Sequence, residues 1–393
     1  MNEKQDKTKT TGRYLIMLLA AVLNRKIPPP IPPEIDMEHL YQLAARHSVA
    51  NMACYGLQRL EVLPAPNIMK PFLEVRNQAI AREARQELEV GLILSALEKN
   101  QIKCMPLKGY IIKHLYPRPD MRMMADVDIL LEEKQLKKAG QIMLNLGYTA
   151  EHSGGNHDVY YKRPVMNIEL HRALIPESNR DLYNYFGSGW GRVKPIAGSS
   201  FCYEMSREDF YIYLLAHMAK HYRGGGTGIR SVMDVWVYNQ HYKEQLEQNY
   251  LDSQLKKTGL YDFAKRMEAL SEQWFSLEAN QDIDQEMSAF IVANGTYGTT
   301  RNAAVNKFIQ GKKDRDSFTM AKVKYTLRIL FPDRQHMTIL FPFLQKLPIL
   351  MPLCWVIRGI RTVMFRRENI KLNLNNIRYV TKVKVNQMKK LQS

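Results

Sequence analysis

Apolar residues recurring at three- and four-residue spacing dominate the chain and predict a largely helical protein interrupted by one short region of a different period. Helical patterns cover 13–23, 37–46, 49–60 and 71–99, the last rich in Ala, Glu, Leu and Arg. Between the first two lies Ile27-Pro28-Pro29-Pro30-Ile31-Pro32-Pro33, a stiff extended connector. Residues 1–11 are polar and lysine-rich and read as disordered. Near residue 100 the pattern shifts to strands. A short strand over 102–107 meets a turn at Lys108-Gly109, a helix is expected over 110–115, and 123–131 reads as a buried strand. A helix over 132–146, with early acids, later lysines and a Gly147 stop, leads to strand pieces at 148–150 and 159–162 around the turn Ser153-Gly154-Gly155-Asn156. A further strand covers 166–171. From 207 onward the pattern is helical again.

This order predicts an α/β (α+β) fold in which a small mixed sheet is flanked by helical regions. Four segments follow: an N-terminal helical region over 1–100, the sheet core over 101–200, a helical domain over 201–310, and a basic C-terminal extension and tail over 311–393. Within the last two, 295–317 reads as a mobile loop or hinge and 371–393 as a poorly ordered tail. The apolar stretch 338–357 carries Pro342, Pro348 and Pro352 with Gln345 and Lys346, which argues against a spanning helix and for short helices, buried or lying at a membrane surface.

Charge changes this picture. The chain of 393 residues has a formal net charge of +17. Residues 301–393 hold twenty Lys and Arg against four Asp and Glu, so almost the whole excess belongs to the C-terminal quarter. Such a surface calls for an anionic partner, nucleic acid or a membrane surface. Arg358, Arg361, Arg366 and Arg367 beside Trp355, Ile360, Val363, Met364 and Phe365 form an amphipathic basic helix suited to either, or simply a solvated helix face. Four scattered cysteines, Cys54, Cys104, Cys202 and Cys354, have no ligand-like spacing and read as reduced cytoplasmic thiols. The apolar run 14–23 is too short to span a bilayer and is followed by Asn24-Arg25-Lys26, unlike a cleavage site. A cytoplasmic protein follows, with a peripheral membrane position left open.

The chemistry concentrates in 104–131. Side chains alternate along a strand, so Asp126 and Asp128 point the same way from an otherwise aliphatic segment. Two like charges there resist desolvation and call for a cation between them. Lys108 and the Gly109 turn at a helix start offer a phosphate cradle. Glu169, in Ile168-Glu169-Leu170-His171, is a candidate third ligand; His171 is placed on the opposite face of its strand, in a structural role. Arg122 either neutralises phosphate or pairs with Asp120 or another core carboxylate. His217 and His221, four apart, share a helix face compatible with zinc, but packing is the stronger reading; with Lys220 and Arg230 they also fit the wall of a nucleotide cleft. Asp234, four residues after Arg230, reads as its intrahelical partner. Gly224-Gly225-Gly226-Thr227-Gly228 lacks the context of a P-loop and reads as a turn.

Taken together, Leu107-Lys108-Gly109, Tyr116, Arg122, Asp126-Val127-Asp128-Ile129-Leu130 and Ile168-Glu169-Leu170-His171 resemble the polymerase-beta-like nucleotidyltransferase superfamily, and within it a large uncharacterised bacterial branch. The resemblance is dense over 102–172. It implies a nucleotidyltransferase palm and transfer of a nucleoside monophosphate from an NTP to a hydroxyl. Asp126, Asp128 and Glu169 would hold two Mg2+ ions, and Lys108, Gly109 and Arg122 would bind the triphosphate. The wider superfamily has Gly-Ser or Gly-Gly at the phosphate turn where this chain has Gly109-Tyr110. That departure keeps a nucleotide-binding or interaction module open beside the enzyme, as the basic C-terminal region keeps open a transferase acting on bound RNA or protein.

Overall fold

The computed structural model describes residues 3–392 except 153, 178, 277–284, 297, 314 and 366. The chain divides into two compact units, one formed by Met1–Ala219 with Gly228–Thr296 and the other by Lys220–Thr227 with Tyr297–Ser393.

In the first unit, helices α1 (Glu3–Leu23), α2 (Met37–Arg46), α3 (Ala50–Leu57) and α4 (Pro66–Lys99) precede the sheet. Helix α1 begins at Glu3, so the polar N-terminus expected to be disordered is helical. It extends an apolar segment whose Leu15, Leu18, Leu19 and Val22 are fully buried. Tertiary packing carries the weak helix formers ahead of it.

The sheet contains β1 (Cys104–Pro106), β2 (Val127–Leu131), β3 (Thr149–His152), β4 (His157–Lys162) and β5 (Met166–His171) in the order β1-β2-β5-β4-β3. Strands β2 and β5 are parallel and the other pairs antiparallel. One face is a continuous apolar layer. Val127, Ile129, Leu131, Ile168 and Leu170 pack on Val90, Ile93 and Leu97 of α4 and on helix α6 (Leu136–Asn145). Burying each such aliphatic side chain stabilises the unit by about 1.5–3 kcal/mol. The alternation that buries this set turns Asp128, Glu169 and His171 to the other face.

Between β1 and β2 lie α5 (Gly109–Ile112) and two single 3-10 turns. The expected helix over 110–115 is thus only one α-turn, and the buried strand starts at Val127 rather than at 123. After β5 come α7 (Arg180–Phe186), the hairpin of β6 (Val193–Pro195) and β7 (Tyr203–Met205), and helices α8 (Arg207–Gly224), α9 (Ile229–Tyr242), α10 (Gln248–Lys257), α11 (Tyr261–Phe275) and α12 (Gln285–Asn294).

His47, fully buried, ties three of these segments together. Its Nδ1 accepts from the Ile229 N–H at 3.1 Å and its Nε2 lies 3.0 Å from the Val292 carbonyl. Gly228 must be glycine here, because a Cβ would sit 2.8 Å from the Thr296 nitrogen and 2.9 Å from His47 Nδ1.

The second unit contains α13 (Thr300–Gly311), α14 (Phe318–Leu330), α15 (Arg334–Leu340), α16 (Met351–Phe365), α17 (Arg367–Tyr379) and α18 (Lys382–Gln392). Two sequence expectations are corrected. Within 295–317, Thr300–Gly311 form helix α13, capped by the Thr299 hydroxyl accepting from the Asn302 N–H at 3.2 Å. Residues 371–392 are not a loose tail: Asn376, Val380, Val385, Met388 and Leu391 are buried, and α17 and α18 pack on α13. Asn- and Lys-rich composition hid this sparse apolar spacing.

Candidate active site

The turn before β2 is built from the backbone outward. The Leu107 N–H donates to the Asp128 carbonyl at 3.0 Å, which places the next residue, Lys108, beside the acid strand. Lys108 has φ +43°, in the left-handed region that a side chain adopts at a cost. Its Nζ reaches Asp128 Oδ2 at 3.3 Å. Gly109 follows because no side chain fits: a Cβ would lie 2.5 Å from Arg122 Nη1 and 2.9 Å from Met124 Sδ. The N–H groups of Tyr110, Ile111 and Ile112 close on the Leu107 and Lys108 carbonyls, so the backbone cradle narrows to the Lys108-Gly109 turn. Tyr110 turns to α4, where its hydroxyl donates to Glu87 at 3.1 Å.

The irregular segment from Lys113 to Asp126 is pinned on several sides. Lys113, with no exposed surface, lies 2.6 Å from Glu87 and 3.2 Å from Glu83. Asn51 donates to the Asp120 carbonyl at 2.6 Å, and Tyr55 to the Asp120 carboxylate at 2.6 Å. Arg230 Nη1 donates to the Met123 carbonyl at 2.8 Å. Arg122 makes a bidentate pair with Asp234, Nε to Oδ1 at 2.8 Å and Nη2 to Oδ2 at 2.7 Å, and the Tyr116 hydroxyl donates to the same Oδ1 at 2.7 Å. On α9, Asp234 thus serves Arg122 and Tyr116, and Arg230 donates to the backbone of Met123, the residue adjacent to Arg122.

The register of β2 and β5 sets Asp128 opposite Glu169, and that of β4 and β5 sets His157 opposite His171. His171 Nε2 lies 2.6 Å from Asp128 Oδ1 and 3.3 Å from Glu169 Oε2. This corrects the placement of His171 on the far face: residues 169 and 171 are two apart and share one side of the strand. His157 Nε2 lies 3.6 Å from Glu169 Oε2, so His157, Glu169 and His171 present ligand-type atoms within 4.8 Å of one another. Asn156 Nδ2, oriented by its bond to the Ala173 carbonyl at 2.9 Å, faces His171 Nδ1 at 3.4 Å. That arrangement leaves the ring proton on Nε2, where it serves the carboxylates as a donor.

The electrostatics follow from this packing. Burial, then the charges of Asp128 and Glu169, push the Asp126 carboxyl up, opposed by Lys108. Burial would also raise Asp128, but Lys108 and the His171 bond outweigh it and hold that carboxyl well below the usual range, with a contribution from His217. The His171 bond lowers Glu169 against burial. Burial depresses His171, yet its two carboxylate partners raise it overall. Tyr213, fully buried on α8, is pushed up to about 12 by burial, with Lys108 pulling the other way. His157, Asp234 and Tyr213 were absent from the sequence-derived site. Their signals lie in register and tertiary contact, not in spacing.

Asp126, Asp128 and Glu169 are thus brought together, with Lys108 and Gly109 beside them, while Arg122 is committed to Asp234 with its Nη1 over Gly109. A model of an uncharacterised nucleotidyltransferase family matches residues 33–276, well over half of the chain. The chain belongs to this uncharacterised nucleotidyltransferase family. The small mixed sheet with helical flanks agrees with a nucleotidyltransferase fold. No curated protein and no solved structure matches the chain.

Three carboxylates supply hard oxygen donors, and mutual repulsion already acts on Asp126, so the donor set of this nucleotidyltransferase fits divalent magnesium.

Proposed function

We propose that this nucleotidyltransferase moves a nucleoside monophosphate from an NTP to a hydroxyl acceptor, with Mg2+ held by Asp126, Asp128 and Glu169. A bond forms from the acceptor oxygen to the α-phosphorus, and the bond to the β-phosphate breaks so that pyrophosphate leaves. The observation that carries the reading is the convergence of Glu169 on Asp128 across adjacent parallel strands, with Lys108 at the same carboxylate. Two magnesium ions bound there would offset triphosphate charge and lower the pKa of the acceptor hydroxyl. The protein's own groups do the rest. Lys108 Nζ, already at the acid cluster, neutralises phosphate oxygens, and the bare Gly109 lets them approach the backbone. His171 holds the Asp128 and Glu169 carboxylates in one orientation through its Nε2 proton. Glu169, kept ionised by that bond, accepts the acceptor's proton at a carboxylate oxygen. Arg122, engaged with Asp234, positions the Lys108-Gly109 turn through its Nη1 contact.

The test measures Mg2+-dependent binding of the four ribonucleoside triphosphates and transfer of an α-phosphate label to a mixture of small hydroxylated molecules, RNA and protein. Asp126→Asn and Asp128→Asn are expected to lower transfer by about 10²–10³-fold. Wild-type NTP binding without any labelled product would leave a nucleotide-binding module, and Mg2+-independent binding would remove the carboxylate reading. The molecule that carries the label identifies the acceptor class.

A further inference from the structure

Helix α16 is built the wrong way round for a helix in water. Its packed side consists of Met351, Cys354, Trp355, Arg358 and Thr362, with the Trp355 Nε1 donating to the Pro332 carbonyl at 3.0 Å and Arg358 Nη1 to the Leu330 carbonyl at 3.3 Å. The opposite side exposes Leu353, Val356, Ile357, Ile360 and Met364, with Val356 at 59%, Ile360 at 54% and Met364 at 62% exposure. An ordinary surface helix buries its apolar stripe.

Helix α14 repeats the device. Met320, Val323, Leu327 and Leu330, at spacings of three and four, are all exposed. Its last turn adjoins α16 through the Arg358 bond and the edge-to-face contact of Phe331 with Trp355. Two aliphatic stripes on neighbouring helices far exceed the scattered exposed residues of a typical surface.

The charge of the same segment selects the occupant. Twenty Lys and Arg against four Asp and Glu over 301–393 repel a second copy of this chain and attract a polyanion. A polynucleotide satisfies the charge but offers nothing to two rows of aliphatic side chains, since single strands are held by aromatic stacking. An anionic phospholipid surface satisfies both. By length and composition Pro348–Phe365 also qualifies as a membrane span, and only 6% of it is buried. Its α-helical part is 15 residues, about 22 Å long, short of the ~30 Å of hydrocarbon that a span must cross. Arg358 is the central residue of that part, and Arg361 lies in its second half. Arg366 and the side chain of Arg367, which the sequence pattern adds to this helix, lie outside the described residues.

We propose that α14 and α16 dock the protein on the surface of an anionic phospholipid bilayer, with their aliphatic stripes inserted at the headgroup level and the surrounding lysines and arginines on the lipid phosphates. The test sediments the full chain with vesicles of phosphatidylcholine alone or mixed with phosphatidylglycerol. Binding to the mixed vesicles is expected to be tighter by about tenfold or more and to weaken with salt. The double variant V356E/I360E, on an exposed face, is expected to lose about tenfold or more of that binding while circular dichroism and Mg2+-dependent NTP binding stay unchanged. Failure to bind mixed vesicles would overturn the proposal, as would undiminished binding by V356E/I360E. So would resistance of membrane-bound protein to alkaline carbonate extraction, which marks a span, or a loss in V356E/I360E of self-association instead of vesicle binding. RNA binding that V356E/I360E leaves intact, with vesicles ignored, would assign the basic surface to nucleic acid instead.

Discussion

Asp234 illustrates how a residue remote in sequence governs the acid cluster. It accepts three bonds, two from Arg122 and one from Tyr116, and Arg122 in turn stands over Gly109. Asp234→Ala would leave the Arg122 guanidinium, 10% exposed, without its counter-charge. The expected loss is about 3–5 kcal/mol of stability, read from urea unfolding. Arg122→Lys keeps charge but not the fork, and is expected to lose part of the same amount. Asp126 and Asp128 stand out in the sequence as two acids in an aliphatic stretch, which calls for a cation to offset their desolvation, although only Asp128 lies within β2. Their cationic surroundings were legible only in part. Lys108 adjoins the strand in the motif, whereas the partner of Arg122 comes from α9, and a guanidinium carries no mark of which carboxylate it will meet. His171 was open to correct placement by the period of two alone.

Among the elements, strands and long helices were the readable part, since each buries a regular apolar stripe. The loop over 113–126 was not, because side chains from α3, α4 and α9 hold it rather than any period of its own. His47 shows the same long-range logic with a pH consequence. Burial is the main cause that pushes its imidazole down to about 4 from an ordinary 6.5, against the Val292 bond. A base depressed in the folded state is protonated first in the unfolded chain. The stability it supports is therefore complete above pH 6.5 and declines as pH falls from 6.5 towards 4. The expected slope from this residue is up to about 1.4 kcal/mol per pH unit. Urea midpoints across that window report it, and His47→Gln, less stable near neutrality, is expected to show a flatter profile.

At the scale of the whole molecule, charge asymmetry was plain from the sequence, as was a basic amphipathic helix around Arg358 and Arg361, but the packed helices α17 and α18 were not. Exposed apolar stripes and buried ones look alike as patterns, so α16 reads the same whether it faces a core or a lipid. The extent of the first unit also exceeds the stretch that the family model covers. That match ends at residue 276, yet His47 bonds to Val292 of α12, and the Thr296 N–H donates to the Arg46 carbonyl at 3.1 Å. A chain restricted to 33–276 also lacks α1, whose Leu15, Leu18 and Leu19 are fully buried. It is expected to melt over a broad range without a cooperative transition, whereas the full chain melts sharply, as calorimetry would show.

The path of the polypeptide between the two units adds a constraint on any dissection. It leaves the first at Ala219, returns at Gly228 and departs again after Thr296. A protease nick or stop codon after 296 therefore cannot free a clean nucleotidyltransferase half, because residues 220–227 stay behind, orphaned from the helices they fold with. Three crossings of the chain, at 219/220, 227/228 and 296/297, thus stitch the two units together, so no single cut separates them cleanly.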